Sequence, residues 1–382
     1  MIKNLENDLK HPLDGKALFK IIVSKGLCTG CAACVTACQA LGDKTIEYQN
    51  GESLPKIVRD EECRECRLCY TVCPQTGEEI TSVEEDYYLG NYRKFEILQA
   101  TDPEIQTRAQ DGGVVTGILK HLMEKHYIDG AIVSTAGNDW FPQPTIAQSI
   151  KELLASSGSR YSVSPNILFL ENLMDLDVDH RYSGFNDENY AFVGTPCMVK
   201  AVQNMKKINL KIIRKVKLTI GLFCFENFNH EEITRRLEEK TGTKRLDWEK
   251  LNIKRRMLVY TKGKPEPFEI PLKELHDIVR GACNVCLDLT NFGSDIAVGG
   301  LGAPKGYSSV LIRTKTGQEA VNLALRGKAL GGIPEIGPER RNIYEKALRS
   351  ISNTAKRKIT TNLDRIKTKS NITNTPSRRE LI

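Results

Sequence analysis

The chain has 382 residues, of which 40% are apolar and 27% charged, and it contains 12 cysteines. This length predicts two domains with appendages, and the ordinary apolar content argues against general disorder. No apolar stretch approaches the roughly 20 residues that cross a bilayer, and residues 1–10 lack the apolar segment of an export signal. We therefore expect a cytoplasmic protein that is not integral to a membrane.

The net charge of +7 is concentrated near the carboxyl end. Residues 339–382 carry 12 Lys/Arg against 4 Asp/Glu, so the rest of the chain is nearly neutral. Nucleic-acid-binding proteins spread basic residues over a folded face, beside aromatic or sequence-reading motifs. Neither feature occurs here, and we expect no nucleic-acid partner.

The first predicted domain is a cysteine-rich segment, residues 20–88, which follows a polar lead-in at 1–19. Short strands are predicted around 21–23 and 45–48. Two runs in this segment have the spacing C-x2-C-x2-C-x3-C, namely Cys28, Cys31, Cys34 and Cys38, then Cys63, Cys66, Cys69 and Cys73.

Bacterial two-cluster ferredoxins have this spacing, and the fourth cysteine of each run binds the other cluster. The expected ligand sets of two 4Fe-4S clusters are therefore Cys28, Cys31, Cys34 with Cys73, and Cys63, Cys66, Cys69 with Cys38. Pro74 follows the second run as expected, but Gln39 stands in the equivalent place after the first. Disulfides are disfavoured without an export signal, and zinc sites usually pair C-x2-C arms across an insert.

From about residue 95 the sequence alternates β-branched runs with helical periods, which predicts an α/β body with a mainly parallel or mixed sheet. Strands are predicted at 130–135, 190–194, 218–223, 295–299 and 309–313, and helices at 114–124, 198–206 and 230–240. This body spans 89–338, and a basic helix and tail follow at 339–382. The fold class is thus α+β or α/β, with an amino-terminal two-cluster ferredoxin domain fused to an α/β domain.

The carboxyl end predicts one amphipathic helix over 340–358, with Ile343, Leu348 and Ile351 as its apolar positions. Residues 360–382 are expected to be loose and solvated, because scattered basic residues at a terminus are commonly a frayed charged tail. An anchor to anionic lipid or to a partner is the alternative.

Four further cysteines are spread through the body: Cys197, Cys224, Cys283 and Cys286. They are compatible with an iron–sulfur cube, a tetrahedral zinc site, a dithiol at 283 and 286, or buried structural thiols. Glycine-bearing loops also follow several strands, although none is a G-x-G-x-x-G fingerprint. A flavin would suit this chain, because it can divide a hydride's electron pair into the single electrons that a ferredoxin carries.

Six motifs in order carry a resemblance: AQDGGVVTGIL, SGSRYSVSPN, GTPC, GLFCFENF, GACNVCLD and VGGLGAPKGYSSVLIRT. Together they resemble the beta-subunit family of coenzyme F420 hydrogenases and dehydrogenases, over about residues 95–325. The resemblance implies FAD in the body and hydride exchange with coenzyme F420. It also implies that Cys197, Cys224, Cys283 and Cys286 bind a third 4Fe-4S cluster.

The resemblance further implies that loops of the body hold FAD and F420. Its cofactor-binding candidates are Asp111, Gly112, Gly113, Thr116, Ser159, Arg160, Tyr161, Ser164, Asn166, Glu226, Asn227, Gly302 and Lys305. Backbone amides at 111–113 would bind the FAD phosphates, together with the cation of Arg160 or Lys305. The alternative for these two cations is that they are solvated surface charges. No general acid or base is predicted, and the catalytic residues are left unassigned.

The fused ferredoxin domain resembles the electron-input subunit of F420H2 dehydrogenase complexes, which feed a complex-I-like membrane machine in archaea. A redox partner protein, or such a complex at the membrane surface, is therefore expected. Three alternatives stay open. They are the same scaffold with another hydride substrate, a non-catalytic iron–sulfur electron-transfer subunit, and a zinc-stabilised interaction domain carrying a ferredoxin.

Overall fold

The computed structural model describes residues 15–48, 54–76, 88–137, 139–175 and 188–368. Most of the predicted lead-in and the end of the basic tail lie outside these ranges. The predicted two-part architecture is confirmed, as a small cysteine-rich domain beside a mixed α/β body.

The amino-terminal domain is built from two similar halves. Its elements are α1 (Gly15–Leu18), a wide helical turn (Phe19–Val23), α2 (Ala33–Gln39), β1 (Ile46–Tyr48), β2 (Pro55–Ile57) and α3 (Leu68–Val72). Strands β1 and β2 pair antiparallel. Helices α2 and α3 each start after a residue with a left-handed backbone, Ala32 (φ 64°) and Arg67 (φ 62°).

The body opens with β3 (Lys94–Ala100), α4 (Pro103–Arg108), α5 (Val114–Glu124), β4 (Gly130–Ala136), β5 (Pro142–Ala147), α6 (Ile150–Ala155) and α7 (Asn172–Asp175). It continues with β6 (Tyr190–Gly194), α8 (Pro196–Lys207), β7 (Val216–Leu222), α9 (His230–Thr241), β8 (Trp248–Lys254), β9 (Arg256–Thr261) and β10 (Phe268–Pro271). It ends with β11 (Ile296–Gly299), β12 (Ser308–Ile312), α10 (Lys315–Arg326), β13 (Leu330–Gly332) and α11 (Gly337–Thr368).

One eight-stranded sheet organises the body, in the order β13-β3-β12-β11-β7-β6-β4-β5. Strands β11, β7, β6 and β4 are parallel, while the four outer pairings are antiparallel. This mixed sheet confirms the predicted class. A separate antiparallel sheet, β10-β9-β8, packs its apolar face against α9.

Helices cover both faces of the large sheet, because successive buried strand residues point in opposite directions. On one face, Val193, Ile220 and Val298 pack with α5 and α10. On the other, Phe192 packs with α8, and Ala297 with α11. Among the described residues, no helix is both long and apolar enough to cross a bilayer.

Two sequence expectations are wrong. The predicted strand at 21–23 is helical, because the chain there turns Ile22 into the core of the small domain. Residues 360–368, expected to be loose, continue α11, because this helix buries a row of side chains: Ala347, Ile351, Ala355, Lys358, Ile359 and Asn362. The tail beyond 368 lies outside the described residues.

Candidate functional site

The four body cysteines meet at the carboxyl edge of the parallel strands. Cys197 lies in the first turn of α8, directly after β6, and Cys224 follows β7. Cys283 and Cys286 come from a short turn at Gly281–Val285. Carboxyl ends of parallel strands are the usual position of ligand sites in open α/β sheets.

The thiols of these four residues are close enough to influence one another's ionisation. Burial and the neighbouring thiols of Cys286 and Cys197 together raise the pKa of Cys283 to about 12. Burial likewise raises the pKa of Cys224, with contributions from Cys283, Cys197 and Cys286. These thiols are therefore protonated on their own, and a metal centre bound here would displace their protons.

Among the described residues, which include all 12 cysteines, no three His, Cys, Asp or Glu side chains are placed to hold one metal ion. Four thiolates are the ligand set of a tetrahedral zinc site and of an iron–sulfur cube alike.

The ferredoxin cysteines lie close enough to influence one another's ionisation. Burial raises the pKa of Cys34, with contributions from Cys28, Cys31, Cys73 and Cys69. The pKa of Cys73 is raised by burial and by Cys31 and Cys28, and that of Cys69 is raised to about 12 by burial and by Cys66, Cys63 and Cys38. Cys73 thus lies near the first run and Cys38 near Cys69, and the crossed ligand sets stay a prediction.

The body cysteines adjoin the first of these two ferredoxin groups. The pKa of Cys197, raised to about 11 by burial, is raised further by the thiols of Cys31 and Cys286. Arg280 donates from its Nη2 to the Cys28 carbonyl oxygen at 3.2 Å. A Cβ on Gly281 would lie 2.5 Å from the Gly26 carbonyl oxygen, so the two chain segments are in direct contact.

A glycine-bearing loop lies next to this edge, at the start of α5. Gly113 precedes the helix with φ 68° and provides no side-chain cap, so first-turn amides are available to an anion. The Asp111 carboxylate pairs with Lys254 at 3.3 Å, and a Cβ on Gly300 would overlap that carboxylate. The buried Oε1 of Gln110 has no hydrogen-bond partner in the described part of the chain. The first-turn amides fit an anion, whereas Gln110 Oε1 and the Asp111 carboxylate fit a hydrogen-bond donor.

Some of the other predicted cofactor residues lie around this loop. Thr116 Oγ1 is 3.3 Å from Ser157 Oγ. Tyr161 Oη accepts from the Ile253 amide at 2.9 Å and from Gln110 at 3.3 Å. Ser159 contacts Tyr161 by a side-chain hydrogen bond, and Lys305 is exposed.

The Arg160 guanidinium forms hydrogen bonds within its own loop. Its Nη1 donates to the carbonyl oxygens of Ser156 (2.7 Å) and Gly158 (2.9 Å). Burial lowers the pKa of its guanidinium to about 10.

The remaining predicted cofactor residues make contacts within the protein. Ser164 donates to Asn166 Oδ1 at 2.6 Å, and Asn166 Nδ2 donates to the Val193 carbonyl at 2.9 Å. The carbonyls of Glu226 and Asn227 lie 3.9 Å from the sulfurs of Cys224 and Cys283. Gly302 supports α11, since its Cα faces the helix backbone at Ala347.

Two polar residues of α11 belong to the cysteine site and were not predicted. Lys358 and Asn362 contact the backbone of three of the four cysteines. The apolar repeat Ala347, Ile351, Ala355 and Ile359 shows a helix face that continues to both residues, and this spacing was the available signal.

Comparisons with known proteins agree with this architecture. Residues 98–171 and 187–331 match the amino- and carboxyl-terminal models of the coenzyme F420 hydrogenase/dehydrogenase beta subunit, and residues 20–74 match a 4Fe-4S dicluster domain. The coenzyme F420 hydrogenase subunit beta of Methanosarcina barkeri is 35% identical over 240 residues, 62% of this chain and 79% of that protein.

A relative with a longer match is a subunit of the F(420)H(2) dehydrogenase of Methanosarcina mazei, which is 29% identical over 78% of this chain and 82% of its own. A chain of the solved F420-reducing [NiFe] hydrogenase complex from Methanosarcina barkeri superposes with a TM-score of 0.65 at 32% identity. It covers 75% of this chain and 94% of its own.

The fold and the cysteine groups define an iron–sulfur protein of F420-linked electron transfer. The chain belongs to the coenzyme F420 hydrogenase/dehydrogenase beta-subunit family, with an amino-terminal 4Fe-4S dicluster domain.

Proposed function

We propose that this chain is an F420-dependent oxidoreductase subunit that exchanges hydride between reduced coenzyme F420 and FAD. It passes single electrons through three 4Fe-4S clusters to a redox partner. The observation that carries this proposal is the continuous series of cysteine groups, from the body to the first ferredoxin set and then to the second.

Cys197, Cys224, Cys283 and Cys286 are the proposed ligands of the body cluster. The set Cys28, Cys31, Cys34 and Cys73 lies next to it, because Cys197 interacts with Cys31. The set Cys63, Cys66, Cys69 and Cys38 is the outer one, and Cys66 is exposed. Electrons therefore have an ordered route from the sheet edge to the protein surface.

FAD, when bound, supplies the step between a two-electron hydride donor and one-electron carriers. The amides of Gly113 and of the first turn of α5 would hold its phosphates, whereas the Gly112 amide already donates to Ser308 Oγ at 3.0 Å. Lys254 neutralises Asp111, which keeps this loop from repelling an anion. Arg160 fixes the loop at 156–160, and we propose that the other predicted residues line the same cleft.

The proposed partner is a larger redox assembly. Relatives of this chain carry the names of a hydrogenase subunit and of a dehydrogenase subunit, which supports a role as one subunit among several. Association with a complex at the membrane surface is part of this proposal.

The deciding experiment is anaerobic purification followed by titration with reduced F420 and a viologen acceptor, with iron, sulfide and flavin analysis. We expect F420 oxidation, one FAD and about twelve irons per chain, since each cluster has four. About eight irons without flavin or turnover would instead indicate a non-catalytic electron-transfer subunit. Full flavin and iron without F420 oxidation would indicate another hydride substrate.

A further inference from the structure

The carboxyl-terminal helix α11 ties together the loops that carry the body cysteines. Lys358 Nζ donates to the carbonyl oxygens of Cys224 (2.7 Å) and Asp288 (2.8 Å). Asn362 Nδ2 donates to the carbonyl oxygens of Cys283 (2.9 Å) and Cys286 (2.7 Å). Residues four apart lie on one helix face, so a single turn of α11 forms hydrogen bonds to both cysteine loops.

The next turn of the helix reinforces this contact. Arg365 Nη1 donates to Asn362 Oδ1 at 3.0 Å and to Asn284 Oδ1 at 2.8 Å. Asn284 lies between the two cysteines of the 283–286 loop. The amide of Asn362 is therefore oriented by a second cation, and its two donor hydrogens are directed at the cysteine carbonyls.

Lys358 is a buried cation whose hydrogen bonds go to neutral groups. Its relative exposure is 3%, and no carboxylate pairs with it among the ion pairs of the described residues. The carboxylate of the adjacent Asp288 instead accepts from the amides of Asn291 (2.7 Å) and Phe292 (2.9 Å). A buried ammonium is costly unless an opposite charge lies nearby.

The proposed cluster would provide that opposite charge, because its four thiolate ligands are anionic. The hydrogen bond from Lys358 Nζ to the Cys224 carbonyl oxygen places the ammonium beside one of these proposed ligands.

Building on the proposed third cluster, we propose that Lys358 and Asn362 are positioning residues for it, and that the Lys358 ammonium raises its reduction potential. Reduction adds one electron to the cluster, and so one negative charge, with no bond broken. A fixed positive charge at short range in a buried site stabilises the reduced form more than the oxidised form.

Both residues lie outside the stretch that matches the family model, which ends at residue 331. The family motifs supply the cysteines, whereas this chain's own carboxyl-terminal helix supplies the charge and the two amide hydrogen bonds.

The test is an EPR-monitored redox titration of the anaerobically purified full chain, with iron and sulfide analysis. The variants are Lys358→Met, Lys358→Arg and the control Lys346→Met, which removes an exposed lysine from the same helix. The control lies twelve residues earlier, about 18 Å along the helix. Asn362→Ala is compared with the wild type by the rate at which a chelator removes iron.

In Lys358→Met, we expect the reduction potential of one cluster to fall by at least about 59 mV. For one electron, this corresponds to a tenfold higher ratio of oxidised to reduced cluster at a given potential. The reduction potential of Lys358→Arg should stay close to that of the wild type, and that of Lys346→Met should be unchanged. Asn362→Ala should lose iron to the chelator several-fold faster than the wild type. Loss of that cluster from Lys358→Met but not from Lys358→Arg also supports the proposal.

Unchanged potentials with full iron in Lys358→Met, an equal shift in Lys346→Met, or loss of the cluster from both Lys358 variants would overturn the assigned role of the charge. A wild-type rate of iron loss in Asn362→Ala would show that Asn362 is not a positioning residue for the cluster. About eight irons in the wild-type chain would instead overturn the third cluster itself, and with it the proposed function.

Discussion

At the residue scale, the residue that follows each ferredoxin run changes the local backbone. Pro74 disfavours a helical conformation at Cys73, so α3 ends at Val72 and Cys73 is extended (φ −62°, ψ 129°). Gln39 imposes no such restriction, and α2 continues through Cys38 to Gln39. Cys38 and Cys73, the fourth cysteines of the two runs, therefore have different backbone conformations although the two runs have the same spacing.

His230 is a buried residue whose ionisation affects stability. It is 4% exposed, its Nδ1 lies 3.4 Å from Ser162 Oγ, and its ring packs edge-on against Phe141. Burial lowers the pKa of this imidazole. The unfolded chain therefore binds a proton more readily than the folded protein as the pH falls below about 6.5.

We predict that wild-type stability falls as the pH drops from about 6.5 towards the folded pKa of His230, by at most about 1.4 kcal/mol per pH unit for one proton. His230→Gln should remove this component, whereas His276→Gln, at an exposed position, should retain it. Urea unfolding midpoints at pH 7.5, 6.5 and 5.5 measure the effect. A pH dependence in His230→Gln equal to that of the wild type would contradict it.

At the element scale, α11 is fixed along its length by contacts with distant parts of the chain. Near its start, Tyr344 donates to Glu96 Oε2 on β3 at 2.7 Å. In its middle, the backbone at Ala347 lies against Gly302, and further on Lys358 and Asn362 hold the cysteine loops. This helix is therefore part of the body core.

Gly302 and Gly306 form a matched pair for testing the packing of α11. Both have φ +83°, but a Cβ on Gly302 would lie 2.6 Å from the Ala347 carbonyl oxygen, whereas Gly306 faces open space. Gly306→Ala should cost only the left-handed strain, about 1–2 kcal/mol. Gly302→Ala should cost more, because the helix backbone must also move.

Urea unfolding of the two variants measures this difference, and limited proteolysis reports whether α11 detaches. Equal losses of stability in Gly302→Ala and Gly306→Ala would show that the contact with α11 contributes nothing.

At the scale of the whole molecule, the order of the cysteine groups predicts unequal effects of their crossing ligands. In the proposed order, Cys73 belongs to the set beside the body, and Cys38 to the outer set. With reduced F420 as the sole reductant, Cys38→Ser should leave about two reducible clusters and Cys73→Ser about one, because the inner cluster lies on the route.

EPR spin quantification after F420 reduction checks this prediction, and reduction with dithionite serves as the control for clusters that are present but disconnected. The same number of F420-reducible clusters in both variants would contradict the inferred order.

Much of this molecule could be predicted from local patterns. The predicted helix at 114–124 and strand at 190–194 coincide with α5 and β6, because their apolar periods match their burial. The mixed sheet and the ferredoxin domain also followed from the sequence. In the body, strands β3, β5, β8 to β10 and β13 and helices α4, α6, α7 and α10 were not predicted.

The errors arose where tertiary contacts override local preference. The β-branched residues at 21–23 favour a strand, yet the small domain buries Ile22 from a helical turn. Thr360, Thr361 and Asn362 are poor helix formers, yet α11 continues through them because Lys358 and Asn362 bond to the cysteine loops. The residue type of a lysine in a basic tail gives no sign that it is buried, and only the apolar spacing of the preceding helix does.

The order of α11 after the body cysteines has a consequence for biosynthesis. Both ferredoxin runs leave the ribosome before the body, and domains that are synthesised first generally fold first. The body cysteines at 197, 224, 283 and 286 emerge later, and the helix that bonds to their loops emerges after all four. The dicluster domain can therefore fold before the body site, which reaches its final form only once residues 358–362 have been synthesised.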